Sequence, residues 1–250
     1  MSGTGTKASG PEDGFFVEDD LDETHPFVTL YCAHCGHEKK FRISCGDRTC
    51  PQCRRKWFGF HFNTLQEVVA KWPTIYSLTL TIKNLPNETF SREDVRRIRD
   101  NFGKLRKRYA RKIKGGFYVV QATNHGDGWH LHLHILYDGS YIDQEDLSRA
   151  WHEITGDSYV LWLRRVKEPR RAIQYLLSDF SGKPRIRPED RETYNRVFSG
   201  SRLVNPFGCY HATKFKKPWK CPECGGTSWV FIEDILGIPR HFSRRSGESP

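Results

Sequence analysis

Three histidines stand at alternate positions in Gly-Trp-His-Leu-His-Leu-His-Ile-Leu, residues 128 to 136: His130, His132 and His134. On a β-strand, side chains two apart share a face, so these imidazoles line up together while Leu131, Leu133 and Ile135 point the other way. Neighbours on such a face are about 7 Å apart along the strand, at a rise of about 3.3 Å per residue. That spacing lets two imidazoles converge on one metal ion. The pattern predicts a strand with one face for binding and one for a core.

The eight cysteines form a second set of residues capable of chemistry. Cys32-Ala-His-Cys35 and Cys50-Pro-Gln-Cys53 are separated by fourteen residues. Two short turns of this kind each offer two thiolates to a tetrahedral zinc ion, so Cys32, Cys35, Cys50 and Cys53 are expected to hold one. Cys45, His34 and His37 are spare candidates in the same segment. Cys221-Pro-Glu-Cys224-Gly-Gly has the form of a zinc-ribbon knuckle without a partner knuckle. Cys209 and His211 are the candidates to complete that second zinc site. Cysteines paired in this way beside basic segments read as metal thiolates of a reducing compartment rather than as disulfides.

The 250 residues carry 40 Lys and Arg against 30 Asp and Glu, a formal charge of +10. Residues 1–27 hold seven acids and one base, −6, which leaves +16 for the remainder. That acidic stretch has no apolar period and is expected to be a disordered tail. A strongly basic body with 13% aromatic residues is equipped for a polyphosphate strand. No apolar run reaches the roughly 18 residues needed to cross a bilayer, and no signal-like layout opens the chain, so a cytoplasmic protein with no membrane partner is expected.

Several elements must position these groups. Residues 57–72 read as a helix stopped by Pro73, and the alternating, β-branched 74–82 as a half-buried strand. Ser91 and Asp94 form a capping box. It opens a long helix in which Val95, Ile98, Phe102, Leu105, Tyr109 and Ile113 recur at helical spacing. Eleven Lys or Arg lie between Arg92 and Lys114, and Arg106, Lys107 and Arg108 are taken as DNA-binding candidates, though a solvated face gives the same pattern. Residues 117–123 and 130–137 form a hairpin that sets Gln121 beside the histidine strand. Asp143 caps a helix that Gly156 ends, and 159–166 is a strand. Pro169 opens a helix to Phe180, on which Ala172, Ile173, Leu176, Leu177 and Phe180 span an arc of about 140° at 100° per residue. Tyr175 and Asp179 fall just outside that arc, with Arg171 one turn before Tyr175, so the phenol has a polar, basic setting. Residues 188–198 form a further short helix and 229–232 a strand.

Three segments together resemble the rolling-circle replication initiators of the HUH endonuclease superfamily, found in plasmids and viruses of prokaryotes. Tyr76-Ser-Leu-Thr-Leu-Thr-Ile82 is similar to the first family motif, the histidine segment 128–136 to the second, and Tyr175–Phe180 occupies the place of the third, the tyrosine helix. Cys-Gly-Asp-Arg-Thr-Cys-Pro-Gln-Cys, 45–53, also resembles a segment preceding the nuclease in plasmid initiators. The resemblance spans roughly 32–200. It implies an α+β fold: a central antiparallel sheet of about five strands with packed helices, RRM- or palm-like, flanked here by N-terminal and C-terminal zinc-binding modules. The expected division is a tail 1–27, a zinc module 28–60, an endonuclease domain 61–200, a zinc-ribbon-like module 201–240 and a tail 241–250.

The resemblance also implies an enzyme in which Tyr175 attacks a phosphodiester of single-stranded or origin DNA, leaving a 5′-phosphotyrosine and a free 3′-OH. A phenol, with a pKa of about 10 in water, needs help, which Mn²⁺ or Mg²⁺ held by His132 and His134 would provide. Relatives often carry Glu where this chain has Gln121, so the third ligand is Gln121 or Asp179, the carboxylate being the better donor to a hard ion. A single helical tyrosine implies one-tyrosine chemistry. The chain has no nucleotide-binding loop, so a host helicase, like the polymerase, would be a separate partner. Two other readings stand beside the initiator: a single-tyrosine HUH transposase, and a non-catalytic zinc-ribbon protein that binds nucleic acid.

Overall fold

The computed structural model of the chain describes residues 25, 27–180, 185–215 and 219–231. Most of the expected 1–27 tail, and all of 241–250, lie outside them. The strands are, in chain order, β1 (Phe27–Cys32), β2 (Glu38–Arg42), β3 (Ile75–Thr81), β4 (Ile113–Asn124), β5 (Trp129–Gly139), β6 (Leu161–Arg165), β7 (Asn205–Gly208) and β8 (Trp229–Phe231). The α-helices are α1 (Pro51–Val69), α2 (Arg92–Arg108), α3 (Gln144–Thr155), α4 (Pro169–Leu176) and α5 (Arg191–Phe198). Among the described residues no helix is long and apolar enough to cross a membrane.

Two compact units divide the chain. The described residues up to Ile43 and from Ser228 form one; Ser44–Thr227 form the other. The first is an antiparallel sheet of order β2-β1-β8, in which Cys32 pairs with Trp229 and Tyr31 with Glu38. Phe41 is buried there, edge-on to Trp229 at 6.1 Å between ring centres.

The second unit is built on a five-stranded antiparallel sheet of order β6-β3-β5-β4-β7, the α+β architecture the sequence leads one to expect. Alternation along β5 assigns its two faces. Leu131, Leu133 and Ile135 bury into a core with Val95, Ile98, Phe102 and Leu105 of α2 and with Leu147 and Trp151 of α3. Each such side chain contributes about 1.5–3 kcal/mol by leaving water. On the opposite face Leu136, with Phe117 and Val119 of β4, packs against Leu65 and Val69 of α1 and Ile173 and Leu176 of α4. These two helices cover only part of that face; His130, His132 and His134 occupy the rest.

Local signals in the sequence set most helix ends. Asp94 Oδ2 accepts from the Ser91 backbone N at 2.9 Å, and Asp143 Oδ1 accepts from the N–H groups of Glu145 and Asp146, both at 3.0 Å. Gly156 closes α3 at φ +85°, a conformation that favours glycine. Helices α1 and α2 differ from the expectation, as does α4, which ends at Leu176 and not at Phe180. Helix α1 starts at Pro51, the first-turn position that proline suits, so Cys50 to Cys53 is a helix start and not a free turn. Helix α2 stops at Arg108: the N–H groups of Lys112 and Ile113 both turn back to the Tyr109 carbonyl at 2.9 Å, and Ile113 begins β4. Ile113 satisfies the helical period and the first buried position of the strand equally well. Gly116 follows where a Cβ would collide with the Leu136 carbonyl of β5.

Candidate active site and metal-binding cysteines

The register of the sheet assembles the histidine face. Thr79 lies opposite His134 and Thr81 opposite His132 on β3, while Gln121 lies opposite His132 on β4. The His132 and His134 rings are perpendicular, 5.0 Å apart. His134 Nδ1 is 3.2 Å from Thr79 Oγ1, which orients the ring and leaves Nε2 as the nitrogen that could hold a metal. His130, at the exposed end, instead has its Nε2 2.9 Å from Asn84 Nδ2. Burial pushes the His132 imidazole down to about 4, helped by His130 and Arg185. It pushes His134 down to about 3, helped by His132 and Arg185. Both rings are therefore neutral near pH 7, the form that binds a metal.

Helix α4 brings Tyr175 to this face. Its half-exposed ring stands edge-on to His134, 4.9 Å between ring centres. Gln121 donates from Nε2 to the Leu176 carbonyl at 3.5 Å, a long contact that joins the histidine strand's neighbour to the tyrosine helix and leaves the amide oxygen as its acceptor. Asp179 is in a 3₁₀ turn, Ser178–Phe180, that follows α4; its side chain lies outside what is described. Tyr194 is enclosed between Trp129 and Phe198, which removes it from any chemistry at the surface.

Sequence reasoning missed the fourth wall. Edge strand β6 places Trp162 and Arg164 on the histidine face, Trp162 in register with Thr79. With Ser77, Thr79 and Tyr175 they line a cleft of roughly 150 Å³. The Arg164 guanidinium lies 5.3 Å over the Tyr175 ring, and Trp162 is 65% exposed. The available signal was Leu161-Trp-Leu-Arg164, apolar residues alternating with a large ring and a cation. Arg171, expected beside the phenol, is instead exposed and paired with Glu168 at 2.9 Å. Arg106, Lys107 and Arg108 belong to α2, on the layer opposite the histidines, where Arg108 is paired with Glu153.

The cysteines fall as follows. In the first unit Cys32 and Cys35 bracket a turn closed by Gly36 N to the Cys32 carbonyl, 2.9 Å. The second unit repeats that turn at Cys221–Cys224, where Gly225 N donates to the Cys221 carbonyl at 2.8 Å. Cys45, a spare candidate by spacing, comes to Cys53 with 3.7 Å between sulfurs. Its thiol is pushed up to about 12 by desolvation and by the adjoining Cys53 and Cys50. Two groups of Cys and His side chains among the described residues are close enough to hold a metal ion; Cys45, Cys50 and Cys53 belong to one, Cys221 and Cys224 to the other, and Cys209 and His211 to neither. Thiolate-rich sets of this kind suit Zn²⁺. Cys209 follows β7, its N–H bonded to the Lys114 carbonyl at 3.2 Å. No disulfide joins any of the eight cysteines.

Residues 21–82 match the model of a transposase zinc-binding domain, the IS91 type. The match covers about a quarter of the chain, from the tail through β3. No curated protein and no solved structure matches the chain.

Proposed function

We propose that this protein is a metal-dependent, single-tyrosine DNA strand transferase of the HUH kind, acting as a transposase. The observation that carries the reading is the meeting of Tyr175 with His134 and His132 on one open sheet face. Of the readings the sequence leaves open, transposition is favoured over replication initiation by the match of residues 21–82 to a transposase zinc-binding domain. A transposase acts on DNA, which agrees with the net charge of +10.

His132, His134 and the amide oxygen of Gln121 would hold a divalent cation. Two neutral imidazoles and one oxygen, with no thiol beside them, fit Mn²⁺ or Mg²⁺ better than the thiolate groups do. When bound, such a cation supplies Lewis-acid stabilisation to a non-bridging phosphate oxygen. The Tyr175 oxygen attacks phosphorus, the P–O3′ bond breaks, the tyrosine keeps the 5′-phosphate, and the departing 3′ oxygen takes up a proton to become a 3′-OH. Arg164, over the ring, stabilises the negative charge that develops as the phenol gives up its proton. Thr79 holds the His134 ring through Nδ1. Arg171, exposed one turn before Tyr175, meets phosphates of the bound strand. The cysteine groups hold structural zinc, which links metal binding to folding.

The test is covalent capture. Incubated with Mn²⁺ and single-stranded oligonucleotides tiled across the DNA flanking its gene, the protein should give an adduct that survives denaturing electrophoresis. Tyr175→Phe should give none while still binding the oligonucleotides. An adduct formed by the variant at the original rate would assign the nucleophile elsewhere.

A further inference from the structure

The face of the sheet turned away from the histidines carries a second concavity. Helix α2 and strands β4 and β7 enclose a groove of roughly 660 Å³, lined by Arg99, Arg106, Lys107 and Lys114 with Tyr118 between them and His211 at the rim. No carboxylate lines it. Burial, with a smaller push from Asp100, moves the Tyr118 phenol up while Arg99 and Arg106 act against that shift, which places both guanidinium groups within electrostatic reach of this one ring.

The same helix supplies its own control. Its outward cations are matched to acids: Arg96 to Glu93, Arg97 to Asp94 and Arg108 to Glu153. Among the described residues the four in the groove have no such partner, and Arg99 Nε is buried without any hydrogen-bond acceptor. A buried, unpaired donor on a cation is costly unless an acceptor arrives from outside. Four unmatched cations about one concavity therefore call for a ligand with several anionic oxygens.

The walls indicate which polyanion. A single strand is held by rings on which its bases stack, but Phe207 is 4% exposed with Arg106 lying 5.3 Å over it, and Tyr118 is half-buried. Apart from the His211 imidazole at its rim, the groove offers charge and hydrogen bonds without an exposed ring, as suits a backbone whose bases are already stacked inside a duplex. We propose that this groove binds the phosphate backbone of duplex DNA, remote from the strand being cut. The phosphate chemistry stands on the groove alone; the choice of DNA rests on the function proposed above.

Duplex binding can be measured apart from cleavage, with full-length Tyr175→Phe protein, no added divalent cation and a blunt 20-base-pair fluorescent duplex (about two turns, at 3.4 Å per base pair), by anisotropy across a salt series. Arg99→Gln/Lys114→Gln should weaken binding about tenfold or more and reduce the slope of log K against log salt by about 2, at roughly 0.9 per phosphate contact. Arg96→Gln/Arg97→Gln removes the same charge from the paired side of α2 and should change affinity less than about threefold. Thermal melting of both variants checks folding. Equal losses from the two pairs would reduce the effect to general charge and overturn the proposal, as would an unchanged slope in the groove variant. A groove variant that lost single-strand affinity more than duplex affinity would overturn the assignment to duplex. Failure of covalent capture, by contrast, would leave these binding outcomes readable.

Discussion

The two faces of the five-stranded sheet, both proposed above to meet DNA, are built from opposite materials. The histidine face has neutral imidazoles, hydroxyls of Ser77 and Thr79, an exposed Trp162 and the cation of Arg164 laid on the Tyr175 ring. The groove beside α2 has four cations with no acidic partner among the described residues, and its Phe102 and Phe207 rings are buried. The divalent ion proposed for the histidine face would account for the contrast. Each further positive charge about 4 Å from it would cost on the order of several kcal/mol in a partly buried site, so a site proposed for Mn²⁺ or Mg²⁺ is lined by neutral imidazoles and keeps the Arg164 cation on the tyrosine ring. A place meant only to grip phosphate gathers charge. The period of two along β4 and β5 keeps the two kinds of chemistry on opposite sides.

The largest effects should come from the metal side. His132→Ala and His134→Ala should each lower Mn²⁺-dependent cleavage about a thousandfold or more, equivalent to roughly 4 kcal/mol of transition-state stabilisation. Calorimetric Mn²⁺ titration should lose its binding isotherm in both, while the duplex affinity of the α2 groove stays as it was. Gln121→Ala should weaken Mn²⁺ binding by a smaller amount. If Asp179→Asn weakens it and Gln121→Ala does not, the third donor comes from the turn after α4 and not from β4.

What could be seen in the sequence was what neighbours in the chain determine. The alternation of His130 to Ile135 assigned the two faces of β5, the hairpin brought Gln121 opposite His132, and Ser91, Asp143 and Gly156 marked helix ends. Arg164 escaped because its nearness to Tyr175 depends on β6 pairing with β3 at the sheet edge, a contact that no local pattern encodes. The same holds for α2 ending before Ile113, where helix and strand periods coincide at one residue. Cys45 was ranked below Cys50 and Cys53 because Cys-x-x-Cys spacing draws attention to pairs, whereas the helix beginning at Pro51 draws the preceding loop back so that Cys45 reaches Cys53.

Trp162 sharpens the comparison at an intermediate magnitude. An indole 65% exposed on the histidine face offers a flat ring on which a base can stack. Trp162→Ala should therefore weaken single-stranded DNA binding by about 1–3 kcal/mol, the usual worth of a base stacked on an aromatic ring. Duplex affinity should not move. Filter binding with both DNAs measures the two together, and equal losses would mean that the faces are not specialised as argued.

The smallest effect on function should come from a third depressed imidazole, at the closed end of the histidine face. His61 of α1 lies edge-on to Phe215 at 5.0 Å between ring centres, its Nδ1 buried with no hydrogen-bond partner. Burial pushes its pKa down to about 4. Above pH 6.5 the ring is neutral folded or unfolded and pH has no leverage through it. As pH falls from 6.5 towards 4, the unfolded chain takes up a proton that the folded chain refuses, so stability is lost in that window. By pH 5 the loss from this one group is about 1–2 kcal/mol at 1.36 kcal/mol per pKa unit. His61→Leu, similar in volume and apolar, should remove that loss: urea unfolding at pH 7 and pH 5 should differ less in the variant than in the parent. Mn²⁺ binding and adduct formation at pH 7.5 should be unchanged, because His61 lines neither the Tyr175 cleft nor the α2 groove. Equal acid sensitivity in the two proteins would mean that the ring is already solvated there, and that α1 closes its end of the sheet less tightly than the packing of Leu65 and Val69 implies.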